Sequence, residues 1–296
     1  MGRELAERYP IAKQTFEEAD DALGFSLSRL CFEGPEEQLK LTEFTQPAIF
    51  TASIAAQRVL AERQIIPDAV AGHSLGEYSA DVAAGVLSFT DAVKTVRSRG
   101  RFMQEAVPAG EGAMAAVLGM SSEDAAQACA DAAAEMGGVV SAANFNSPEQ
   151  TVISGAAAAV ERAGALAKER GAKRVVPLPV SAPFHCALMQ PAQDRLAEVL
   201  RGLDFADARV PVMANVDATT YTGAEALRDA LVRQVTGPVR WVESMRRLAG
   251  DGPAQFVEVG PGKVLCGLMR QIDRAQSCKH VDDVLRDDSI LFRRES

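Results

Sequence analysis

A serine between two glycines is the residue best suited to covalent chemistry. The stretch Gly72-His73-Ser74-Leu75-Gly76 fits the Gly-x-Ser-x-Gly pattern of a nucleophile elbow, in which a strand turns sharply into a helix. Residues 65–71 can supply the strand and residues 77–84 the helix. A Cβ at either glycine would crowd such a bend, and the helix N-terminus would favour negative charge near the serine. The pattern predicts a nucleophilic Ser74, although so short a pattern also occurs by chance.

A nucleophilic serine needs a base, and the chain offers three histidines: His73, His185 and His280. His73 directly precedes the serine, so its side chain should point away and form part of the wall of the site. His280 lies in a polar segment, and we expect it to be exposed. His185 ends a proline-containing loop that leaves a strand, where active-site residues are common, and it is the best candidate for the base.

The group that orients His185 stays open at this level. Three acidic residues are possible partners: Asp194, Asp217 and Glu258. None of them is clearly placed for the task, and a backbone carbonyl could perform it equally well.

A group of three arginines could bind an anionic substrate. These are Arg97, Arg99 and Arg101. They could form a solvated helix face, or one guanidinium could bind a substrate carboxylate in bidentate fashion. The residue types alone do not decide which arginine would do so.

The elements that position these residues indicate a two-part α/β protein. Strands alternate with helices in much of the chain, which predicts a parallel core with sites at the carboxyl ends of the strands. Residues 112–179 follow the order strand, helix, strand, strand, helix, strand, which is typical of a ferredoxin-like domain. We therefore predict that residues 1–111 and 180–296 form one discontinuous domain with residues 112–179 inserted. The alternative is one continuous large domain.

The composition argues against several classes of function. The 296 residues carry a formal net charge of −9, which argues against nucleic acid as the main partner. No run of about 18 apolar residues is present, so we expect no membrane span. Gly260-x-Gly262 lacks the third glycine of a dinucleotide fingerprint.

The cysteines predict the redox compartment. The chain has five: Cys31, Cys129, Cys186, Cys266 and Cys278. They are scattered and form no Cys-x-x-Cys pair. We therefore expect reduced thiols in a cytoplasmic protein, with neither a disulfide framework nor a zinc site.

Five segments together resemble the malonyl-CoA:acyl-carrier-protein transacylases. They keep the order and spacing of that family over nearly the whole chain. The segments are residues 72–78, 99–104, 144–148, 185–189 and 257–262. The resemblance implies a hydrolase-like α/β domain with an inserted ferredoxin-like domain, which agrees with the element order above.

The resemblance also implies a role for each matching residue. Ser74 would be the nucleophile, His185 the base and Arg99 the ligand of the malonyl carboxylate. The backbone carbonyl of Gln234 would orient the histidine, and Leu75 would supply an oxyanion N–H.

Two more residues would shape the substrate site. His73 would line it, and Phe184 resembles the residue of malonyl-selective members rather than of those that take branched units.

The implied reaction is a ping-pong transfer. Malonyl-CoA would acylate the serine, and the phosphopantetheine thiol of an acyl carrier protein would then take the acyl group, for fatty acid or polyketide synthesis. We expect no cofactor, no metal, no nucleic-acid or membrane partner, and a monomer. The alternatives are a serine thioesterase on the same elbow and a catalytically impaired protein that binds carrier proteins.

The sequence departs from the family pattern at its beginning. The family normally opens with an apolar strand and a Gly-Gln-Gly-Ser-Gln-like loop, whose glutamine supplies the second oxyanion N–H. The sequence begins downstream of that loop. The expectation is that the first core strand and half of the oxyanion hole are absent, through a late start codon, a truncation or a real impairment, and we favour the late start codon.

Overall fold

The computed structural model describes residues 1–180, 182–250 and 252–286. The end of the predicted domain segment 180–296, from residue 287 onward, lies outside the described residues. No helix in this described part of the chain is long and apolar enough to cross a membrane.

Helices make up most of the structure. They are α1 (Arg3–Arg8), α2 (Pro10–Leu23), α3 (Leu27–Glu33), α4 (Glu36–Leu39), α5 (Thr42–Glu62), α6 (Gly76–Ala84), α7 (Phe89–Glu105), α8 (Ser122–Met136), α9 (Ala157–Glu169), α10 (Gln190–Arg201), α11 (Ala224–Gln234), α12 (Trp241–Ala249), α13 (Val264–Ile272) and α14 (Val281–Arg286), with a 3-10 helix at Ala187–Met189.

The strands fall into three sheets. They are β1 (Val70–Ala71), β2 (Gly112–Leu118), β3 (Val140–Ser147), β4 (Gln150–Ala156), β5 (Arg174–Pro177), β6 (Val212–Met213), β7 (Thr220–Tyr221), β8 (Gln255–Glu258) and β9 (Ser277–His280). The parallel pairings are β1 with β6 and β8 with β9. Within the described ranges no strand ladder joins these two pairs, so the parallel pairing is divided between two small sheets, and the first of them also contains the antiparallel pair of β6 with β7.

The elbow lies between β1 and α6. A Cβ on Gly72 would come within 1.9 Å of the backbone of Gly76, so only glycine fits at the start of the bend. The expectation that Gly76 is equally crowded is wrong, because a Cβ there would meet nothing within 4 Å. Between the two glycines, Ser74 adopts a left-handed backbone with φ of 52°. This is the strained turn that the sequence pattern predicts.

A helical layer supports the elbow. Helix α5 is buried along most of its length, through residues such as Phe50 and Ile54, and it packs against α7. The two helices approach closely at Gly100 of α7, where a Cβ would lie 2.6 Å from the carbonyl oxygen of Thr42. This approach places the buried face of α7 opposite the start of α5.

The segment from β2 to β5 forms its own sheet and core. Its four antiparallel strands have the order β3-β4-β2-β5. Small apolar side chains of α8 and α9 bury one face of this sheet, among them Ala128 and Ala163. Strand, helix, strand, strand, helix and strand follow each other here in the order that the sequence predicted. The exact domain boundaries stay a prediction.

The prediction of five reduced thiols is wrong for two cysteines. Cys266 on α13 and Cys278 on β9 form a disulfide with their Cα atoms 5.3 Å apart. The pairing depends on how α13 packs beside β9, which a spacing of 12 residues does not reveal. The other three cysteines are free and buried.

Candidate active site

The hydroxyl of Ser74 faces the imidazole of His185. Oγ lies 2.7 Å from Nε2, although the two residues are 111 positions apart in the chain. His185 precedes the 3-10 helix at Ala187–Met189 and, like Ser74, has a left-handed backbone, with φ of 59°. Its side chain is buried. The structure therefore brings the predicted nucleophile and base together.

Two backbone carbonyls fix the tautomer of His185. Nδ1 lies 2.9 Å from the carbonyl oxygen of Gln234 and 3.2 Å from that of Gly237. Because a carbonyl oxygen can only accept, Nδ1 must carry the proton. Nε2 is then free to accept the proton of Ser74.

The three candidate acids have other partners. Asp194 accepts from Gln190, and Asp217 accepts from Tyr221 and Arg233. Glu258 accepts the N–H groups at the start of α13. Of the alternatives that the sequence left open, the geometry therefore supports the backbone carbonyl.

The surroundings of His185 keep it neutral. Burial lowers its pKa from 6.5 to about 3, and the positive charge of Arg99 adds to the effect. The imidazole is therefore unprotonated at neutral pH and can act as a proton acceptor.

The structure singles out Arg99 from the three arginines. It is 2% exposed, whereas Arg97 lies over the ring of Phe25 and Arg101 is more than half exposed. Its buried position follows from the packing of α7 against α5. A buried guanidinium at a reactive hydroxyl is a suitable anion ligand.

The hydrogen bonds of Arg99 to other described residues leave its charge without a direct counterion. Nη1 donates to Oε1 of Gln46 at 2.8 Å, and Nη2 donates to Oε1 of Gln234 at 2.9 Å and to Oγ of Ser74 at 3.1 Å. Nε has no hydrogen-bond partner in the described part of the chain. These partners are neutral, so the site can accept the carboxylate of a ligand.

Asn215 holds the elbow from the side of β6. Its Oδ1 accepts the N–H of Ser74 at 2.6 Å, and its Nδ2 donates to the carbonyl of Gly72 at 2.7 Å. Both contacts are to backbone, so they hold the left-handed turn itself. Asn215 is not among the residues predicted from the sequence, because no local signal marks it.

Glu77 is a second residue that the sequence analysis missed. It is 1% exposed, and its Oε2 accepts from Nε2 of Gln234 at 2.7 Å and from the N–H of Asn215 at 3.1 Å. A signal was present: Glu77 and Asp81 stand four residues apart on the face of α6 that also carries Ala84, so two acids fall on an apolar helix face.

His73 and Phe184 lie near the boundary between the elbow and the β2–β5 sheet. Nε2 of His73 donates to Oδ1 of Asn146 on β3 at 2.7 Å, and its ring packs 5.3 Å from that of Trp241. Phe184 is partly buried against a cluster that includes Met114. Both side chains thus pack between the two parts of the chain.

Leu75 is the N-cap residue of α6 and directly follows the nucleophile candidate. Its N–H has no hydrogen-bond acceptor within the described ranges. A free N–H at the start of a helix can receive an oxyanion.

His280 differs from its expectation. The sequence predicted an exposed side chain, but it is 5% exposed, and its Nε2 contacts the carbonyl of Gly260 at 2.9 Å. It ends β9, and its parallel pairing with β8 brings it beneath the glycine turn. Among the described residues no group of three or more histidine, cysteine or acidic side chains could hold a metal ion.

Comparisons with known proteins find similar sequences over most of the chain. A family profile described as the acyl transferase domain matches residues 1–289. The malonyl CoA-acyl carrier protein transacylase of Bacillus subtilis strain 168 is 53% identical over 283 residues, which cover 96% of this chain and 89% of the relative. The enzyme of the same name from Escherichia coli K12 is 53% identical over 273 residues, covering 92% and 88%.

Two solved structures are similar in fold and sequence. An acyl carrier protein S-malonyltransferase from Vibrio cholerae has a TM-score of 0.93 and 49% identity, covering 96% of this chain and 94% of that one. A malonyl-transacylase in complex with its type II PKS acyl-carrier protein has a TM-score of 0.90 and 49% identity, covering 93% and 89%.

Proposed function

The chain belongs to the acyl transferase domain family, and on that premise we propose that it moves a malonyl group from malonyl-CoA to the phosphopantetheine thiol of an acyl carrier protein. One observation carries the proposal: the hydroxyl of Ser74 contacts both a neutral base, His185, and a buried cation, Arg99. A simple esterase needs only the first contact. The second suits an acyl group that ends in a carboxylate, and the relatives' names agree with it.

In the first half-reaction Ser74 is the nucleophile. Nε2 of His185 takes the hydroxyl proton as Oγ attacks the thioester carbon, while the carbonyl of Gln234 holds the proton on Nδ1. The free N–H of Leu75 receives the oxyanion. The carbon–sulfur bond then breaks, and the imidazolium returns its proton to the sulfur of CoA.

The second half-reaction reverses these steps with a new thiol. His185 takes the proton of the phosphopantetheine thiol, and the sulfur attacks the acyl ester of Ser74. The ester bond breaks, and the proton passes to Oγ. A carrier protein is therefore the expected partner, in line with the similar transacylase that is bound to one.

Arg99 selects the acyl group. Its neutral neighbours Gln46 and Gln234 fix the guanidinium in place without neutralising it. A malonyl carboxylate supplies the missing counterion, whereas an acetyl group leaves a buried charge unpaired. His73 and Phe184 line the same site, and Phe184 restricts substituents next to the malonyl carboxylate.

The fold assignment belongs to the same proposal. A hydrolase-like core with an inserted ferredoxin-like domain at residues 112–179 is supported by the sheet order β3-β4-β2-β5 and by the separate core of that segment. A monomer in the cytoplasm stays a prediction, since the Cys266–Cys278 disulfide removes two of the five thiols on which the location depended.

Incubation with radiolabelled malonyl-CoA tests the proposal. We expect label on the protein and its transfer to a carrier protein that bears phosphopantetheine. Ser74→Ala should abolish both, while the matched control Ser79→Ala, on α6, should keep them. Label on the Ser74→Ala variant would contradict the proposed nucleophile. Release of free malonate faster than transfer would indicate a thioesterase, and carrier binding without acyl-serine would indicate an impaired binding protein.

A further inference from the structure

Glu77 is a buried acid that the mechanism above does not use. It lies three residues after Ser74, in the first turn of α6. Burying a carboxylate is costly unless other groups donate hydrogen bonds to it. Both donors to its Oε2, Gln234 and Asn215, are themselves fully buried.

Each of these donors holds one half of the reactive pair. Gln234 accepts from Nδ1 of His185 on its backbone carbonyl and donates from Nε2 to the carbonyl of Ser74. Asn215 accepts the N–H of Ser74. A single carboxylate oxygen thus connects the residue that orients the base with the residue that holds the elbow.

Resting on the proposed function, we propose that Glu77 is a positioning residue for malonyl transfer: its carboxylate fixes Gln234 and Asn215, and through them Ser74 and His185. It touches no reacting atom. Fixing the two halves together matters because displacements of about 1 Å in a reactive pair cost about 10²-fold in rate.

Glu77 also stabilises Arg99 without a direct hydrogen bond to its guanidinium. The side-chain amide of Gln234 lies between them, accepting from Nη2 of Arg99 and donating to Oε2 of Glu77. Burial lowers the pKa of Arg99, and electrostatic interactions with the neighbouring Tyr78 and Glu77 oppose that shift. The carboxylate of Glu77 therefore stabilises the guanidinium of Arg99 through Gln234. Arg99 stays available to bind the substrate carboxylate.

The position of Glu77 makes the transfer sensitive to pH. Burial raises its pKa from 4.5 to about 7, against the hydrogen bonds from Gln234 and Asn215 and the charge of Arg99 on α7. Protonation would remove the charge that both donors face. The pKa of His185 is lowered to about 3, so an acid limb near pH 7 in the acylation rate belongs to Glu77.

Other charged or titratable groups of the described residues also lie near α6. On α6 itself these are Tyr78 and Asp81, Arg209 donates to the carbonyls of Ala83 and Ala84 at its end, and Asp217 follows β6 and pairs with Arg233 of α11. Strands β1 and β6 carry no titratable side chain, and Arg58 of α5 pairs with Glu18. Of these groups, only Asp81 could produce a similar acid limb in the rate, because burial raises its pKa as well.

The test is the pH profile of acyl-serine formation with radiolabelled malonyl-CoA. In the wild type we expect the rate to fall below about pH 7. In Glu77→Gln we expect a rate at pH 8 that is roughly 10- to 100-fold lower and a flat profile from pH 5.5 to 8. The matched control is Asp81→Asn, one turn further along α6, which should keep the limb. A limb that persists in Glu77→Gln, or that disappears in Asp81→Asn instead, overturns the proposal.

A second variant covers a failure of Glu77→Gln to fold. Glu77→Asp keeps the charge but draws the carboxylate back by one methylene, so we expect a lower rate with the acid limb retained. A wild-type rate in Glu77→Asp contradicts the positioning role. Failure of the wild type itself to form acyl-serine contradicts the proposed function instead, so the two ideas fail separately.

Discussion

The guanidinium of Arg99 touches the hydroxyl of Ser74, with Nη2 donating to Oγ at 3.1 Å. The same oxygen faces Nε2 of His185, so a cation and a base meet at one atom. After burial, the charge of Arg99 is the main cause of the low pKa of His185. A carboxylate that pairs with Arg99 offsets this charge, and His185 becomes a stronger base when a dicarboxylic substrate is in place.

Replacing Arg99 should remove the preference for malonyl over acetyl groups. In Arg99→Ala we expect kcat/KM for malonyl-CoA to fall roughly 10- to 100-fold, since a hydrogen bond to a charged group is worth about 1.5–3 kcal/mol. The kcat/KM for acetyl-CoA should fall much less in the same variant. Acyl-serine formation with the two labelled thioesters measures this. The control Arg101→Ala changes an exposed side chain and should leave both rates unchanged, while equal losses for both thioesters in Arg99→Ala would exclude a carboxylate-binding role.

The pKa of His185 should respond to the charge at Arg99. Nitrogen-15 NMR of the imidazole should show a pKa far below 6.5 in the wild type, near the value of about 3 that burial and Arg99 produce. Arg99→Ala should raise it, though not to 6.5, because the burial remains. Malonate added to the wild type should raise it as well. A pKa that is unchanged by Arg99→Ala would mean that burial alone sets it, and Arg101→Ala serves again as the control.

The sequence predicted the parts of the site that depend on local pattern. The Gly-x-Ser-x-Gly turn placed Ser74, and the loop position selected His185 out of three histidines. Arg99 could not be distinguished from its neighbours by residue type. Its burial depends on α7 packing against α5 at Gly100, a contact between helices that begin 47 residues apart (Phe89 and Thr42).

The residues that the sequence analysis missed depend on long-range contacts. Asn215 lies 141 positions from Ser74, and its role becomes visible only when β6 pairs beside β1. The burial of His280 and its contact with Gly260 follow from the β8–β9 pairing in the same way. Such partners are set by strand order, which residue spacing along one chain does not encode.

Because two cysteines form a disulfide, the number of reactive thiols should be smaller than the number of cysteines in the sequence. After unfolding without a reductant, three thiols should react with a thiol reagent, namely Cys31, Cys129 and Cys186, and after reduction all five should react. Reduction should also lower the free energy of unfolding by about 3 kcal/mol, as expected for a loop of this length. The variant Cys266→Ser with Cys278→Ser should show three thiols with or without reductant. Five reactive thiols in the untreated protein would mean that the bond does not form.

The ionised carboxylate of Glu77 should lower the free energy of unfolding, although it supports acylation. Its pKa rises from 4.5 in the unfolded chain to about 7 in the folded protein. Between these values the folded state holds a proton that the unfolded state has lost, so the free energy of unfolding falls as the pH rises from 4.5 to 7. The full loss is about 3 kcal/mol, at 1.36 kcal/mol per unit of pKa.

Glutamine does not titrate, so Glu77→Gln should match the wild type near pH 4 and become the more stable protein above pH 7, by up to about 3 kcal/mol. His185 contributes a slope of the opposite sign, because its pKa is lowered, but both proteins share it and it cancels in the difference. Urea unfolding at a series of pH values measures this, with the exposed Glu62→Gln as a control that should follow the wild type. A variant that is slower in acylation and also less stable at every pH would show that Glu77 is simply structural. Greater stability with slower acylation is the result expected of a carboxylate that holds Gln234 and Asn215 for the reaction.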